Sequence, residues 1–371
     1  MDFDFNDEQT QLREACQRWV DKAYTFERRR GIVAEGGFSK QAYQELAELG
    51  LTALFVPTEH GGLGLGPVEA MVVMEALGQG LVVEPLAQTL LCSALLAQHV
   101  DAKLQTQWLP RIASGEALVV LAHQEPRARY NLAHCDTQAT PQGDGFVLTG
   151  HKSVVPAGDH AQAWIVPAAL NGELALFLVE ATATGAHTRG YRTQDGARGA
   201  ELMLTHTPAQ RITRHGREVL AQAVDMGIAL TCAEAVGVMD QTLTTTADYL
   251  QTRQQFGVPI ASFQALRHRI ADMKMQLELA RSMSYYATLK LQAPDAQRRQ
   301  ALSRAKVQLG QSMRFVGQQA IQLHGGIGVT DEYIVGHYFK RLTQMEMSFG
   351  DTLHHLGEVS QGMQEMAGVF V

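Results

Sequence analysis

The sequence has few of the residues that cross-link a chain or bind metal ions. Its four cysteines, Cys16, Cys92, Cys135 and Cys232, lie far apart, without the Cys-x-x-Cys or Cys/His spacing that closes a tetrahedral zinc site. We therefore expect no metal site and thiols that stay reduced. The 31 Lys and Arg residues are scattered and are outnumbered by 38 Asp and Glu residues. This balance predicts no basic surface for nucleic acid.

Features of exported or membrane-inserted proteins are also missing. The first eight residues are acidic, where a signal peptide needs a basic start followed by an apolar run. No later stretch has the roughly 18 apolar residues that a membrane span requires. The default expectation is a cytoplasmic protein with no membrane partner.

What is present is an ordinary globular composition, with 46% apolar and 19% charged residues over 371 positions. A chain of this length exceeds the usual size of one hydrophobic core, so two or three structural units are expected. Helical periodicity predominates in residues 1–115. Short β-prone runs separated by turn residues occupy residues 116–213, and long helical periods return over residues 214–371.

The order of these segments predicts an α+β fold that is mainly α. Asn6 followed by Gln9 has the form of a capping box, which places the first helix start near Asp7. The connections between the middle strands are too short for helical crossovers, which favours an antiparallel sheet or small barrel. Long C-terminal helices with short connections favour an antiparallel bundle. The glycine-rich run at residues 62–66 precedes a helix and follows only a brief apolar run, so no Rossmann site is expected.

Two motifs in the C-terminal segment indicate a ligand. Residues 249–257 read Tyr-Leu-Gln-Thr-Arg-Gln-Gln-Phe-Gly, and Phe-Gln follows at positions 263 and 264. Residues 322–328 read Gln-Leu-His-Gly-Gly-Ile-Gly, where glycines let backbone amides approach a phosphate or a ring edge. Taken singly, Arg253 is equally well a solvated cation near a helix end. Together, in this order and spacing, the motifs resemble those of the acyl-CoA dehydrogenases.

The resemblance spans nearly the whole chain and carries an expected architecture and cofactor. It implies an acyl-CoA dehydrogenase-like fold with an N-terminal helical domain, a middle antiparallel β-barrel domain and a C-terminal four-helix bundle. It also implies FAD, in an assembly where the arginine and phenylalanine of one chain's motif reach the FAD pyrophosphate held by another chain. The FAD contacts that it implies in the C-terminal segment are Arg253, Phe256, Gly257, Gln264, Gln322, Gly325 and Gly326.

The middle segment departs from the family at the flavin ring. The resemblance places Gln124 and Val155 among the flavin contacts, although the usual Thr-Glu-Pro reads Gln-Glu-Pro here. The tryptophan that usually lies beside the flavin corresponds to Val154, and the neighbouring Thr or Ser corresponds to Pro156, which has no side-chain donor. The resemblance thus implies that flavin binding persists through the backbone, while ring contacts and acyl specificity differ.

The carboxylate that removes the α-proton in this family is missing from both of its usual positions. One position lies 27 residues after Gln322 and is Phe349, followed by Gly350; the other lies 22 residues before Tyr249 and is Gly227. Asp351 is the best local substitute for a base, but an acid beside a glycine is equally an N-cap for the helix that follows.

The histidine pair at positions 354 and 355 is a candidate for metal binding, but no third ligand is evident. Adjacent helical residues point about 100° apart, so we expect surface or interface histidines.

Three functions are compatible with these residues. The tail at 348–356 resembles the small, base-lacking subunits of two-gene acyl-CoA dehydrogenases, which act in pimeloyl-CoA and steroid side-chain degradation. The first hypothesis is therefore a subunit for FAD-dependent α,β-dehydrogenation of a bulky, steroid-side-chain or dicarboxylic acyl-CoA, in a heterotetramer whose paralogous subunit bears the base. The second is a self-sufficient homo-oligomer using Asp351. The third is a non-catalytic scaffold subunit. Electron-transferring flavoprotein is the acceptor that the resemblance implies.

Overall fold

The N-terminal segment is helical, as its periodicity predicts. In the computed structural model the described residues are 5–143 and 145–367, so the first four residues of the acidic start lie outside the described part. Helix α1 begins at the predicted capping box, where the Asn6 side chain accepts from the Gln9 amide at 2.8 Å and the Gln9 side chain accepts from the Asn6 amide at 3.1 Å. The helices of this segment are α1 (Asp7–Ala23), α2 (Phe26–Ala34), α3 (Lys40–Glu48), α4 (Pro67–Gln79), α5 (Leu86–His99) and α6 (Ala102–Ala113).

The middle segment forms a seven-stranded sheet that closes on itself. Its strands are β1 (Val119–Leu121), β2 (Gln138–Gln142), β3 (Gly145–Pro156), β4 (Ala163–Leu170), β5 (Glu173–Glu180), β6 (Ala186–Arg192) and β7 (Arg198–Thr213). The order β4-β2-β3-β7-β5 returns to β4 through the β4–β5 pairing, and β6 adds to β7. Consecutive hairpins pair antiparallel as predicted, whereas β1 and one residue of β2 run parallel to β4.

The barrel interior is filled by alternating apolar side chains from all sides. Phe177, Leu148 and Leu202 are fully buried there, and Trp164 donates its indole N–H to the Gly158 carbonyl at 2.8 Å. Burying these groups removes apolar area from water at roughly 25 cal/mol per Å², which makes the core the main stabilising element of the barrel.

A buried ion pair joins the segment after β1 to strand β3. The Lys152 ammonium lies 2.6 Å from the Glu125 carboxylate, and both side chains are almost fully buried. The same carboxylate accepts from the Thr137 hydroxyl at 2.6 Å and from the Asp136 amide at 2.5 Å. Burial alone raises the pKa of Glu125, but the charge and hydrogen bonds of these partners outweigh it and lower the pKa to about 2.

The C-terminal segment contains long helices. They are α7 (Gly216–Thr252), α8 (Gln264–Lys290), α9 (Asp295–His324), α10 (Ile334–Met347) and α11 (Thr352–Ala367), and a short hairpin of β8 (Gln254–Gln255) and β9 (Val258–Pro259) separates α7 from α8. By length and composition alone α7 is able to span a membrane. Its apolar stretch is mostly buried inside the protein, as in the core helix of a soluble fold.

Two compact units account for the described chain. One contains residues 5–29, 67–82 and 228–367, and the other contains Arg30–Gly66 and Val83–Gly227. In the first unit α4 crosses α7 at two glycines, because a Cβ at Gly78 would collide with the Glu234 carbonyl and one at Gly237 with the Glu75 carbonyl. The domain boundaries predicted at residues 115/116 and 213/214 stay predictions from the sequence.

The ion pair gives a testable stability prediction. We expect Lys152→Met to cost about 3–5 kcal/mol, because it leaves the Glu125 carboxylate buried without its cation. The double variant with Glu125→Met should recover most of that loss, and urea denaturation of the purified chain measures both. A double variant as unstable as the single one would contradict this account. The carboxylate's contribution should be present above pH 4.5, its ordinary pKa, and disappear as the pH falls towards 2.

Candidate functional site

The hairpin between α7 and α8 presents an aromatic side chain to solvent. Phe256 and Gly257 form its two-residue turn, and both have positive φ, +54° and +79°. Such a turn normally carries Asn, Asp or Gly, so a phenylalanine there is strained. The Phe256 side chain is 91% exposed and makes an edge contact with Phe263, with ring centroids 6.1 Å apart. An exposed, strained aromatic is expected where another molecule covers it.

The polar groups beside this turn are available to a ligand. Arg253 and Gln264 are exposed, and within the described part of the chain neither side chain makes a hydrogen bond or salt bridge. Their backbone is fixed nonetheless, since the Arg253 carbonyl accepts from the Ile260 amide at 2.8 Å and its amide donates to the Tyr249 carbonyl at 2.8 Å. A fixed backbone with a free guanidinium suits the binding of phosphate oxygens.

The end of α9 meets the end of α7 at a stacked pair of rings. Tyr249 stacks on His324 with centroids 4.4 Å apart, and its hydroxyl donates to the His324 carbonyl at 3.3 Å. This contact brings the hairpin motif and the glycine loop to the same end of the helices. Beside the pair, Gln322 is exposed, and a Cβ built at Gly325 or Gly326 would meet no atom within 4 Å.

These residues fit the FAD that the resemblance implies. A guanidinium and two amide side chains form a donor set for a pyrophosphate beside the two open glycines, and none of the three side chains is engaged elsewhere among the described residues. The Gly325 amide itself already donates to the carbonyls of Ile321 and Gln322. The predicted C-terminal contacts are thus compatible with the cofactor as a group, although their individual roles stay predictions.

The two predicted flavin contacts in the barrel are held by backbone bonds. The Gln124 carbonyl accepts from the Ser153 amide at 2.9 Å, and Gln124 itself is half-buried. The Val155 side chain is 1% exposed and belongs to the barrel core, so only its backbone is available to a flavin. Val154, the residue before Val155, lies in a register shift of β3. Its φ is +51° and its side chain is 41% exposed. A β-branched residue at positive φ is a genuine outlier, which is typical of functional sites.

A polar chain that the sequence did not reveal supports this strained position. The Tyr191 hydroxyl accepts from the Val154 amide and donates to the Glu201 carboxylate at 3.0 Å, while His151 contacts the other carboxylate oxygen at 2.7 Å. Burial and the adjacent carboxylate raise the pKa of Tyr191 to about 12, so the hydroxyl keeps its proton. These residues come from three strands, and no local pattern connects them.

The loop at the usual base position is held rigidly. Phe349 and Gly350 both have positive φ, +57° and +112°. The buried His355 ring bonds to the Phe349 carbonyl through Nε2 at 3.0 Å, so Nε2 carries the proton and Nδ1 accepts from the Ser303 hydroxyl at 3.2 Å. A Cβ on Gly350 would lie 2.5 Å from the same ring nitrogen, which explains the glycine. The expectation of surface or interface histidines is therefore wrong for His355, because the loop folds back over its ring.

A buried lysine holds the helix that leads into this loop. Lys306 donates to the carbonyls of Met345 and Glu346, at 2.9 and 2.8 Å, in the last turn of α10. A cation at a helix C-terminus satisfies carbonyls that lack intrahelical partners. Burial lowers the pKa of Lys306 to about 8. Sequence periodicity placed this residue on a long helix but gave no reason to expect it to be buried.

Two acids near the usual base positions are engaged in structural bonds. The Asp351 carboxylate accepts from the His354 amide at 2.8 Å, which is the N-cap geometry for α11. Glu234, on the helix that carries the alternative base position, pairs with Arg341 at 2.5 Å. Gly227 itself has no side chain, and Phe349 has no ionisable group.

One cluster has the composition of a cation site. Ligand atoms of Glu125, His134 and Asp136 lie within 4.8 Å of one another. The Glu125 oxygens are already occupied by Lys152 and two backbone amides. We therefore assign no metal to it.

Comparison with known proteins identifies the family. Models of the acyl-CoA dehydrogenase N-terminal and C-terminal domains match residues 6–116 and 214–363. The acyl-CoA dehydrogenase IpdE2 of Mycobacterium tuberculosis is 30% identical over 343 residues, which cover 90% of this chain and 91% of that protein. The chain belongs to the acyl-CoA dehydrogenase family, a family of FAD-dependent oxidoreductases, which confirms the predicted fold class, enzyme class and cofactor.

Two solved structures are similar over nearly the full length. A variant of the Tcur3481-Tcur3483 steroid ACAD matches with a TM-score of 0.90 and 29% identity, covering 98% of this chain and 99% of that one. The ChsE4-ChsE5 complex from Mycobacterium tuberculosis matches with a TM-score of 0.91 and 26% identity, again covering 98% and 99%. The resemblance stated from the sequence motifs is thereby confirmed.

The buried histidine gives a pH prediction. Burial, reinforced by the charge of Lys306, lowers the pKa of His355 from 6.5 to about 3. The unfolded chain therefore binds a proton at this residue below pH 6.5, whereas the folded chain does not bind it until about pH 3. The free energy of unfolding therefore falls as the pH is lowered from 6.5 to 3. We expect His355→Gln to flatten the fall by up to about 1.4 kcal/mol per pH unit. Urea melts at several pH values measure it, with exposed His268→Gln as the control; parallel pH slopes in all three proteins would contradict the assignment.

Proposed function

We propose that this chain is the base-lacking subunit of a heteromeric acyl-CoA dehydrogenase that catalyses FAD-dependent α,β-dehydrogenation. The observation that carries the proposal is the loop at 348–351. It puts Phe349 at the usual base position, while the only adjacent acid, Asp351, is bound to backbone as a helix cap. A paralogous subunit bearing a glutamate supplies the missing base, most simply in an α2β2 heterotetramer.

The residues of this chain then serve binding and orientation. When bound, FAD supplies the acceptor for the β-hydride of the acyl thioester. Arg253 neutralises pyrophosphate charge, with the side-chain amides of Gln264 and Gln322 as further donors, and Gly325 and Gly326 leave room for the cofactor to approach the backbone. Phe256 and Gly257 shape the turn that carries the arginine to the cofactor. In the barrel, Gln124 and Val155 contribute backbone groups beside the flavin ring.

The substrate class that we propose is a bulky acyl-CoA, with a steroid side chain or a dicarboxylic acid as the acyl group. Two facts support it. Valine at position 154, where the family usually has tryptophan, leaves more room beside the flavin, and a steroid ACAD is similar over the full length at 29% identity. A cytoplasmic enzyme that passes electrons to electron-transferring flavoprotein completes the proposal.

Two alternatives make different claims about Asp351. A self-sufficient homo-oligomer needs this carboxylate as its base, which requires it to leave the His354 amide during turnover. A non-catalytic scaffold subunit that stabilises its partner retains the cofactor without turnover and needs no base. Mixing the purified chain with candidate paralogues and measuring flavin content and acyl-CoA oxidation distinguishes all three.

The cofactor proposal predicts the effect of removing the arginine. Arg253→Ala should weaken FAD retention by roughly 1.5–3 kcal/mol, because a charge-assisted phosphate contact is lost. Equilibrium dialysis of the assembled protein measures the change, with Arg269→Ala, another exposed arginine of the same segment, as the control. Unaltered FAD affinity in the Arg253 variant would remove that residue from the site.

The base proposal predicts that Asp351→Asn leaves activity nearly unchanged in the assembled enzyme. Asparagine caps helices as well as aspartate does, so the substitution changes the acid and preserves the loop. The isolated chain should show negligible acyl-CoA dehydrogenation even when loaded with FAD. A loss of about 10²–10⁴ in kcat with FAD still bound would instead identify Asp351 as a base and favour the homo-oligomer.

A further inference from the structure

A short chain of hydrogen bonds connects the outer surface of the barrel to the strained residue of β3. The His151 side chain is 45% exposed, and its Nε2 lies 2.7 Å from one oxygen of the Glu201 carboxylate. The Tyr191 hydroxyl donates to the other oxygen at 3.0 Å and accepts from the Val154 amide. One side chain therefore separates this carboxylate from the backbone that the resemblance places beside the flavin ring.

The sheet register places these groups on one face. In the β6–β7 pairing Tyr191 lies opposite Gly199, two residues before Glu201. In the β3–β7 pairing His151 lies opposite Met203, two residues after Glu201. Residues two apart on a strand point to the same face, so both rings reach the carboxylate diagonally from the neighbouring strands. The arrangement is thus a product of three strands in fixed register.

The carboxylate brings a negative charge to this face and keeps it. The Glu201 side chain is only 15% exposed, and a partly buried charge is screened less than one in water. Arg189 lies opposite Glu201 in the register, but among the described residues no ion pair joins the two. Burial and the carboxylate raise the pKa of Tyr191 to about 12, so its hydroxyl stays a donor to Glu201.

The same stretch of β3 offers few donors to a bound flavin. The Val154 amide is already bonded to the Tyr191 hydroxyl, and Pro156 has no amide hydrogen. Two of the three backbone positions at 154–156 therefore have no free N–H. Reduction adds negative charge to a flavin, which nearby donors favour and a nearby carboxylate opposes by Coulomb repulsion. Both features of this face act in the same direction.

We propose that Glu201, acting through Tyr191, is a positioning residue that lowers the reduction potential of the bound flavin. This inference rests on the proposed function, because it takes FAD to lie beside residues 154 and 155. The carboxylate makes no contact of its own with the cofactor. It acts by its charge and by holding the Tyr191 hydroxyl, whose oxygen occupies the Val154 amide. A lower potential favours transfer of electrons from the reduced flavin to the acceptor.

Redox titration of the assembled protein at saturating FAD tests the proposal, with the visible absorption of the flavin read against a reference dye. Glu201→Gln removes the charge and keeps an oxygen that accepts from Tyr191. At a fixed potential it should raise the ratio of reduced to oxidised flavin about tenfold, which is about 30 mV for a two-electron couple. Tyr191→Phe keeps the carboxylate but breaks its link to Val154, so a smaller rise is expected.

Glu173→Gln is the matched control, since this exposed glutamate of β5 lies in the same unit and the substitution makes the same charge change. Its flavin should titrate as the wild type does, and thermal melts check that every variant folds. An unchanged or lowered potential in Glu201→Gln, or an equal rise in Glu173→Gln, overturns the proposal.

The potential and the activity report on different claims. A wild-type assembly that binds FAD but oxidises no acyl-CoA counts against the proposed function, while the potential difference between wild type and Glu201→Gln still decides the role of the carboxylate. A wild-type assembly that binds no FAD overturns both.

Discussion

The contact between Lys152 and Glu125 fixes the part of the barrel that carries the predicted flavin contacts Gln124 and Val155. Glu125 directly follows Gln124, and Lys152 directly precedes the irregular stretch of β3. A buried ion pair is stable only when its remaining bonding capacity is satisfied, and here backbone amides and the Thr137 hydroxyl do so. The pair anchors β3 two residues before the strained valine at 154, which limits how far the backbone there relaxes. The strain there is held by the surrounding structure, as the Tyr191 hydroxyl bond to the same residue also shows.

A second set of buried groups holds the loop that elsewhere in the family carries the base. Lys306 and His355 are both buried, and the positive lysine is one of the reasons why the histidine stays neutral. A neutral imidazole donates to the Phe349 carbonyl while accepting from Ser303, an arrangement that the protonated ring cannot keep. The loop therefore keeps a defined, strained backbone conformation although Phe349 has no carboxylate. Strain of this kind persists where the shape itself is used.

Local sequence rules predicted the elements well, and contacts between distant segments poorly. The capping box at Asn6 and the order of helices and strands follow from interactions within a few residues, which spacing reports. The parallel pairing of β1 with β4 depends on how the sheet closes, and the hairpin pattern does not encode it. The burial of His355 depends on α9 and α11 packing together, so helix geometry alone gave a wrong surface or interface expectation for it. Motif order predicted the FAD contacts near residues 253 and 322, and the structure brings these two motifs to the same end of α7 and α9.

The acids near the usual base positions and the side chains predicted to bind FAD differ in how many of their hydrogen-bonding groups are already in use. Asp351 is bonded to an amide and Glu234 to a cation. The side chains of Arg253, Gln264 and Gln322 are exposed, and among the described residues their donors have no partner. Free donors on a fixed backbone lose little when a ligand binds, but a capping carboxylate must give up a bond of about 1 kcal/mol before it accepts a proton. The exposed, strained Phe256 points the same way, because a left-handed aromatic costs about 1–3 kcal/mol and is offset only when another surface covers it. The strain and the free donors thus lie at the residues that we propose hold a ligand and a neighbouring chain, and under the same proposal a group from another subunit abstracts the proton.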